Sequence, residues 1–144
     1  MNGPKKPSAL QFPVVRDGPS GTIRLSANVH AEYQHLFQCN DDPSKKQRTH
    51  LARYFERFCE LGPQRLGEEK FKLEDRFPDG KGGTIAVYAF KPFKLRVYGG
   101  ILRVGGKTTF VGTRTNEKKQ DKANRELLKA VASDIADLVE YKGS

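Results

Sequence analysis

The sequence predicts an α+β fold: an N-terminal strand, two helices, an antiparallel sheet of three or four further strands, and a closing C-terminal helix. Two periodicities carry that expectation. Apolar residues alternate at a spacing of two in residues 22–30 and again in three stretches between residues 84 and 113. They recur at spacings of three and four from Lys45 to Leu61 and from about residues 117–122 to Tyr141. The first spacing gives one face of a strand, the second one stripe of a helix. A length of 144 residues suits one compact domain able to bury a core without metal or disulfides.

Residues 1–21 hold four prolines, three glycines and little periodicity, which predicts a flexible arm before a single domain over 22–144. In "TIRLSANVH", Ile23, Leu25, Ala27 and Val29 face one way and Arg24, Ser26, Asn28 and His30 the other, the pattern of a half-buried strand. "AEYQHLF" reads as a short helix with Tyr33, Leu36 and Phe37 inward. "CNDDPS" reads as a turn with Asp42 or Ser44 capping the next helix. That helix presents Leu51, Tyr54, Phe55, Phe58 and Leu61 on one stripe and stops at Gly62-Pro63. Lys45, Lys46, Arg48, Arg53 and Arg57 lie mostly off the stripe. "TIAVYAF" (84–90), "KLRVYGGILRV" (94–104) and "KTTFVGT" (107–113) read as strands. Gly105-Gly106 signals a two-residue hairpin, and Gly99-Gly100 a bulge or a hairpin. The closing helix carries Leu127, Leu128, Val131, Ile135, Leu138 and Val139.

The net charge of +9 favours an anionic partner. Its distribution is more informative than its size. Residues 91–131 hold eleven basic residues, among them Lys91, Lys94, Arg96, Arg103, Lys107, Arg114, Lys118, Lys119, Lys122 and Arg125, against three acids. That excess of +8 predicts a nucleic-acid-binding face. The basic N-terminus lacks an apolar stretch of secretory type, no run is apolar enough for a membrane span, and Cys39 and Cys59 cannot make a disulfide framework or a four-ligand zinc site. The expectation is a cytoplasmic protein with reduced cysteines, no metal and no cofactor.

The order of elements resembles the RelE/ParE superfamily of bacterial toxins, including HigB-like and phage-borne relatives. Three stretches carry the resemblance: "ARYFERFCELGPQRLG", similar to the family's second helix and Gly-Pro turn; "TIAVYAFKPFKLRVYGG", similar to its sheet segment; and "KTTFVGTRTNEKKQDKANRELLKAV", similar to its last strand, basic exit and closing helix. It spans about residues 22–140. It implies a metal-independent endoribonuclease that cleaves mRNA on the ribosome, or in ParE-like members a gyrase poison, neutralised by an acidic antitoxin across the basic surface. By position, Lys94 and Arg114 match family basic residues, with Arg96 beside them as the third catalytic candidate. Lys118 and Lys119 match the basic exit. The family's strand lysines have no counterpart in "TIAVYAF", and Gln120 stands where its late tyrosine falls. His30, His35 and His50 all precede the sheet and read as surface or packing residues.

Arg114 can give a phosphate two hydrogen bonds, and a helix N-terminus beyond it favours anions. The same stretch resembles the last helix of a double-stranded-RNA-binding domain, whose lysine pair contacts phosphates. A non-catalytic phage-type adaptor on a toxin-like fold is the third reading. "GGKT" at 105–108 lacks the earlier glycine of a P-loop and falls in a hairpin.

Overall fold

A computed structural model describes residues 6–117 and 124–142. Among the described residues the order is β1 (Val14–Asp17), β2 (Thr22–Leu25), α1 (Ala27–Leu36), α2 (Asp42–Leu61), β3 (Phe71–Pro78), β4 (Thr84–Phe90), β5 (Leu95–Val104), β6 (Lys107–Glu117) and α3 (Arg125–Ala136). One sheet of order β1-β2-β6-β5-β4-β3 runs through the molecule. Apolar side chains of α1 and α2 pack on one face of it and those of α3 on the other, giving two cores.

The sheet is mixed rather than antiparallel throughout. β2 lies parallel to β6, with Ile23 opposite Phe110. The chain leaves β2 for α1 and α2 and re-enters at the far edge as β3. The β3-to-β6 meander then walks back until β6 arrives beside β2. β3 itself was not expected. Its apolar alternation is broken between Leu73 and Asp75, where the register slips by one residue.

The expected flexible arm is largely part of the fold. Residues 9–11 form a short 3-10 turn, and β1 pairs with β2. Ala9 is fully buried. Arg24 donates to the Phe12 carbonyl at 3.0 Å. Glu140 accepts from the Ser8 hydroxyl at 2.6 Å and the Ala9 amide at 2.8 Å. These partners lie far along the chain, so no local pattern announces them. The predicted strand over 22–30 ends at Leu25, because Ser26 adopts an extended cap conformation and α1 starts at Ala27. The cap of α2 is Asp41, whose carboxylate accepts from the Ser44 amide at 3.0 Å, rather than Asp42 or Ser44. β6 continues to Glu117, and α3 begins only after the Asn124 cap. Leu61 and Val139, both expected on buried stripes, are 49% and 44% exposed.

Two bulges let single strands serve both cores. On β3, Phe71 belongs to the α2-side core and Phe77 to the α3-side core. Strict alternation would put both on one face; the extra residue, Glu74, reverses the pleat. On β6, Gly112 pairs with Gly99 and Arg114 with Tyr98, so Thr113 is the extra residue. Phe110 therefore faces α2, whereas Arg114 faces α3. The Gly99-Gly100 signal marks this bulge, and β5 runs through it. Gly105 and Gly106, at φ +59° and +81°, form the two-residue turn from β5 to β6.

A β-carbon on Gly99 would stand 2.0 Å from the Val111 carbonyl oxygen. Backbone cannot yield there as a side chain can, so Gly99→Ala is expected to destabilise the fold by at least about 2 kcal/mol. A fall in the urea midpoint at an unchanged denaturant slope would verify it.

The C-terminus closes on the β3–β4 turn. The Tyr141 hydroxyl donates to the Asp79 carboxylate, which also accepts from the Lys81 and Gly83 amides. The Tyr141 bond, followed by the backbone amides, holds Asp79 below its ordinary value of 3.8. The same bond pushes Tyr141 up from 10.0 to about 12. The lowered Asp79 contributes stability above pH 3.8 that is lost as the pH falls through its folded value. The raised Tyr141 contributes stability below pH 10.0 that is lost as the pH rises through about 12. Thermal unfolding between pH 10 and 12 should show that alkaline loss in the wild type and much less of it in Tyr141→Phe.

Candidate nucleic-acid interface

Among the described residues, those expected to meet at the end of the last strand do not form one open site. Arg114 is exposed, but its Nε and Nη2 donate to the two carboxylate oxygens of Asp134 on α3, at 2.7 and 3.1 Å. That bond, reinforced by the charge of Asp134, raises the Arg114 pKa. Arg96 is buried at 8% exposure, and its Nη1 donates to the Phe93 and Leu95 carbonyls at 2.6 and 3.0 Å. Desolvation lowers its pKa, with Tyr98 and Glu74 opposing. Arg96 pairs with Asn116 and Tyr98 with Arg114, so both arginines lie on the α3-facing side of the β5–β6 hairpin. Lys94 is exposed and sits apart, its Nζ 5.7 Å from the centre of the Phe93 ring.

The remaining described candidates scatter. Lys107 is paired with Asp17 at 2.8 Å, which lowers the Asp17 pKa. Arg103 donates to the Gly106 carbonyl at 2.6 Å. Both sit at the turn end of the hairpin, roughly 25 Å from Arg96 at strand rise. Arg125 pairs with Asp75 at 2.5 Å and lies over the Phe77 ring. Lys91 donates to the Glu68 carbonyl at 3.1 Å. Lys118, Lys119 and Lys122 lie outside the described residues, as does Gln120. The concentrated charge of residues 91–131 is therefore partly neutralised by acids supplied from β1, β3 and α3.

A different surface gathers cations among aromatic rings. α2 is anchored by Phe55 and Phe58, both essentially buried and packed edge-on against Phe90. Phe58 also meets Phe71 and Phe110. Each such burial contributes about 1.5–3 kcal/mol. With that stripe fixed inward, helical spacing sets Lys46, His50, Arg53 and Arg57 along one outer flank, with Tyr54 at its inner margin, half-buried against the α2-side core. Gln47, on the inner side, accepts from the Leu95 amide at 2.7 Å and ties α2 to the start of β5. The loop before β5 thereby brings Phe93 under Lys46, whose Nζ lies 4.1 Å from the ring centre. One turn on, His50 stacks on Tyr54 at 5.9 Å, and Lys70 reaches that ring at 6.0 Å. The order along the flank is Phe93, Lys46, His50, Tyr54, Lys70. Lys46, Arg53, Arg57, Lys70 and Lys94 have no carboxylate in salt-bridge contact among the described residues.

The sequence held half of this signal. The basic residues off the α2 stripe were visible, but the approach of Phe93 and Lys70 depends on long-range packing. Elsewhere the chemistry is quiet. Cys59 is pushed up to about 12, chiefly by burial. The His35 ring contacts only the Cys39 sulfur, at 3.3 Å, among the hydrogen-bonding groups described. No cluster of three potential metal ligands occurs among the described residues, and none of their helices is long and apolar enough to cross a membrane. In comparisons with known proteins, no family model, curated protein or solved structure matches the chain.

Asp134→Asn should release Arg114 from its ion pair at a stability cost under about 1 kcal/mol, as befits a partly exposed pair. If Arg114 is held away from RNA by Asp134, this variant binds RNA more tightly than the wild type, and Arg114→Ala binds it about equally well. Side-by-side titrations distinguish these outcomes from a site already centred on Arg114.

Proposed function

We propose that this chain is an RNA-binding protein of toxin-like α+β architecture that holds single-stranded RNA along the outer flank of α2. The observation that carries this reading is the run of rings and cations Phe93, Lys46, His50, Tyr54 and Lys70, in which Lys46 lies over Phe93 and Lys70 reaches the stacked His50–Tyr54 pair. Unpaired bases offer π faces that stack on the half-exposed rings of Phe93, His50 and Tyr54, and the neighbouring cations meet the phosphates that separate those bases. A duplex keeps its faces stacked internally and gains only the charge term. From Lys46 to Arg57 the flank is roughly 16 Å long at helical rise, room for a few extended nucleotides. Its rigid mounting on the phenylalanine core limits the entropy lost on binding.

A second reading is a metal-independent endoribonuclease of the RelE/ParE kind acting on ribosome-bound mRNA. Support comes from the element order and from Arg96 and Arg114 sharing one face of the hairpin. It requires Arg114 to leave Asp134 and stabilise charge on a phosphate. An antitoxin would be the partner belonging to that reading.

One titration addresses both. A labelled single-stranded RNA is added at two salt concentrations, and its length is checked on a gel afterwards. Tyr54→Ala is expected to cost about 1–3 kcal/mol of binding. Arg53→Ala should reduce the slope of log affinity against log salt by about 0.7, one phosphate contact. The RNA should remain intact. Shortened RNA, abolished by Arg114→Ala and untouched by Tyr54→Ala, would move the assignment to the endonuclease.

A further inference from the structure

The sheet is open along part of its middle. β4 and β5 pair only at Tyr88 with Gly99, Ala89 with Tyr98 and Phe90 with Val97. Beyond those pairs, Thr84–Val87 remain laddered to β3, and Gly100–Val104 to β6, but not to each other. The strands diverge toward the two hairpin turns and leave an opening of about 460 Å³ between them, with Ile135 and Tyr141 among its lining residues. Alternate residues on each wall turn their amide and carbonyl groups into this opening. Backbone groups so placed are half of a β-ladder awaiting its partner strand.

We propose that this opening receives an extended, acidic peptide segment from a partner protein, inserted as a strand between β4 and β5. Two features choose the occupant. The unpaired walls ask for a backbone with its own amides and carbonyls, which a nucleic acid lacks. The charge at the mouth asks for acids: Arg76 and Arg103 line the opening from either side, both exposed. Arg76 pairs with Ala86, beside Tyr88, and Arg103 is two residues from Ile101; Tyr88 and Ile101 both pack toward the α2-side core, so both arginines lie on that face. Arg76 has no carboxylate in salt-bridge contact among the described residues, and Arg103 bonds only the Gly106 carbonyl there. The acid near the opening, Glu140, is already engaged by Ser8 and Ala9. An inserted strand would thus carry acidic side chains toward the two arginines and, at alternate positions, apolar ones toward Ile135. Pairing along four residues of wall would cover roughly 13 Å of strand.

The probe is a synthetic peptide of alternating glutamate and valine, titrated at millimolar concentration into the isotope-labelled full chain and followed by amide resonances. The expected result is a saturable shift and slowed hydrogen exchange for amides in 84–87 and 100–104, with smaller changes on α2. The same peptide N-methylated on one edge should bind at least tenfold more weakly, since it can pair with only one wall. The double variant Arg76→Glu, Arg103→Glu should lose the glutamate peptide and gain one of alternating lysine and valine. Both side chains are exposed, and an unchanged amide spectrum of the free variant verifies its fold. No response in the wild-type walls, equal binding of the methylated peptide, or a response of the wall amides to a short RNA and not to the peptide overturns the proposal. This site is separate from the α2 flank, so Tyr54→Ala should leave peptide binding unchanged.

Discussion

A pleated strand presents its side chains to two faces in strict alternation, and this molecule depends on breaking that alternation twice. The extra residues Glu74 in β3 and Thr113 in β6 each reverse the pleat partway along a strand. Phe71 can then join the phenylalanine cluster beneath α2 while Phe77 packs beneath α3. The same reversals put Asp75 and Arg114 on the α3 side, where they pair with Arg125 and Asp134. Bulge and ion pair act together, since α3 is docked by its apolar stripe and held at two points by charges that only a bulged strand can supply. Gly100 helps by allowing Ile135 to approach the sheet, where a β-carbon would stand 3.1 Å from it.

The same geometry explains why a dense run of positive charge does not become a dense positive site among the described residues. Strands distribute their charges to opposite faces and opposite ends, and acids remote in sequence neutralise several of them. A helix flank behaves differently. Its residues at three- and four-residue spacing stay adjacent, and the deep burial of Phe55 and Phe58 fixes which flank turns outward. The outer flank of α2 consequently keeps a compact set of cations with no carboxylate in salt-bridge contact among the described residues, beside rings from its own sequence and from the loop before β5.

The two proposed surfaces use different physics. The α2 flank is already assembled: Lys46 lies on Phe93, His50 stacks on Tyr54, and Lys70 reaches Tyr54. The opening between β4 and β5 is unfinished: Thr84–Val87 and Gly100–Val104 are not paired to each other, and Tyr141, which bonds Asp79, is among its lining residues. The C-terminal residues line that opening and also accept the N-terminal turn through Glu140. The segment expected to be an arm is thereby mechanically linked to the least paired part of the sheet.

By itself the sequence determined the class of the fold, the positions of β4 and β5, the long apolar stripe of α2, the two-glycine turn, and the excess of basic residues. Each of these is written in local periodicity or local turn chemistry, which neighbours in the chain suffice to enforce. Tertiary structure alone decided the incorporation of residues 9–17, the existence of β3, the parallel pairing of β2 with β6, and the partners of Arg114, Lys107 and Arg125. Arg24 reaches back to the turn it holds, Glu140 comes from the other end of the chain, and Phe93 meets Lys46 only because Gln47 anchors β5. Contacts of that range leave no period in the sequence. A one-residue bulge, moreover, reverses the face of every side chain beyond it, so a strand pattern that contains one reads as no pattern at all.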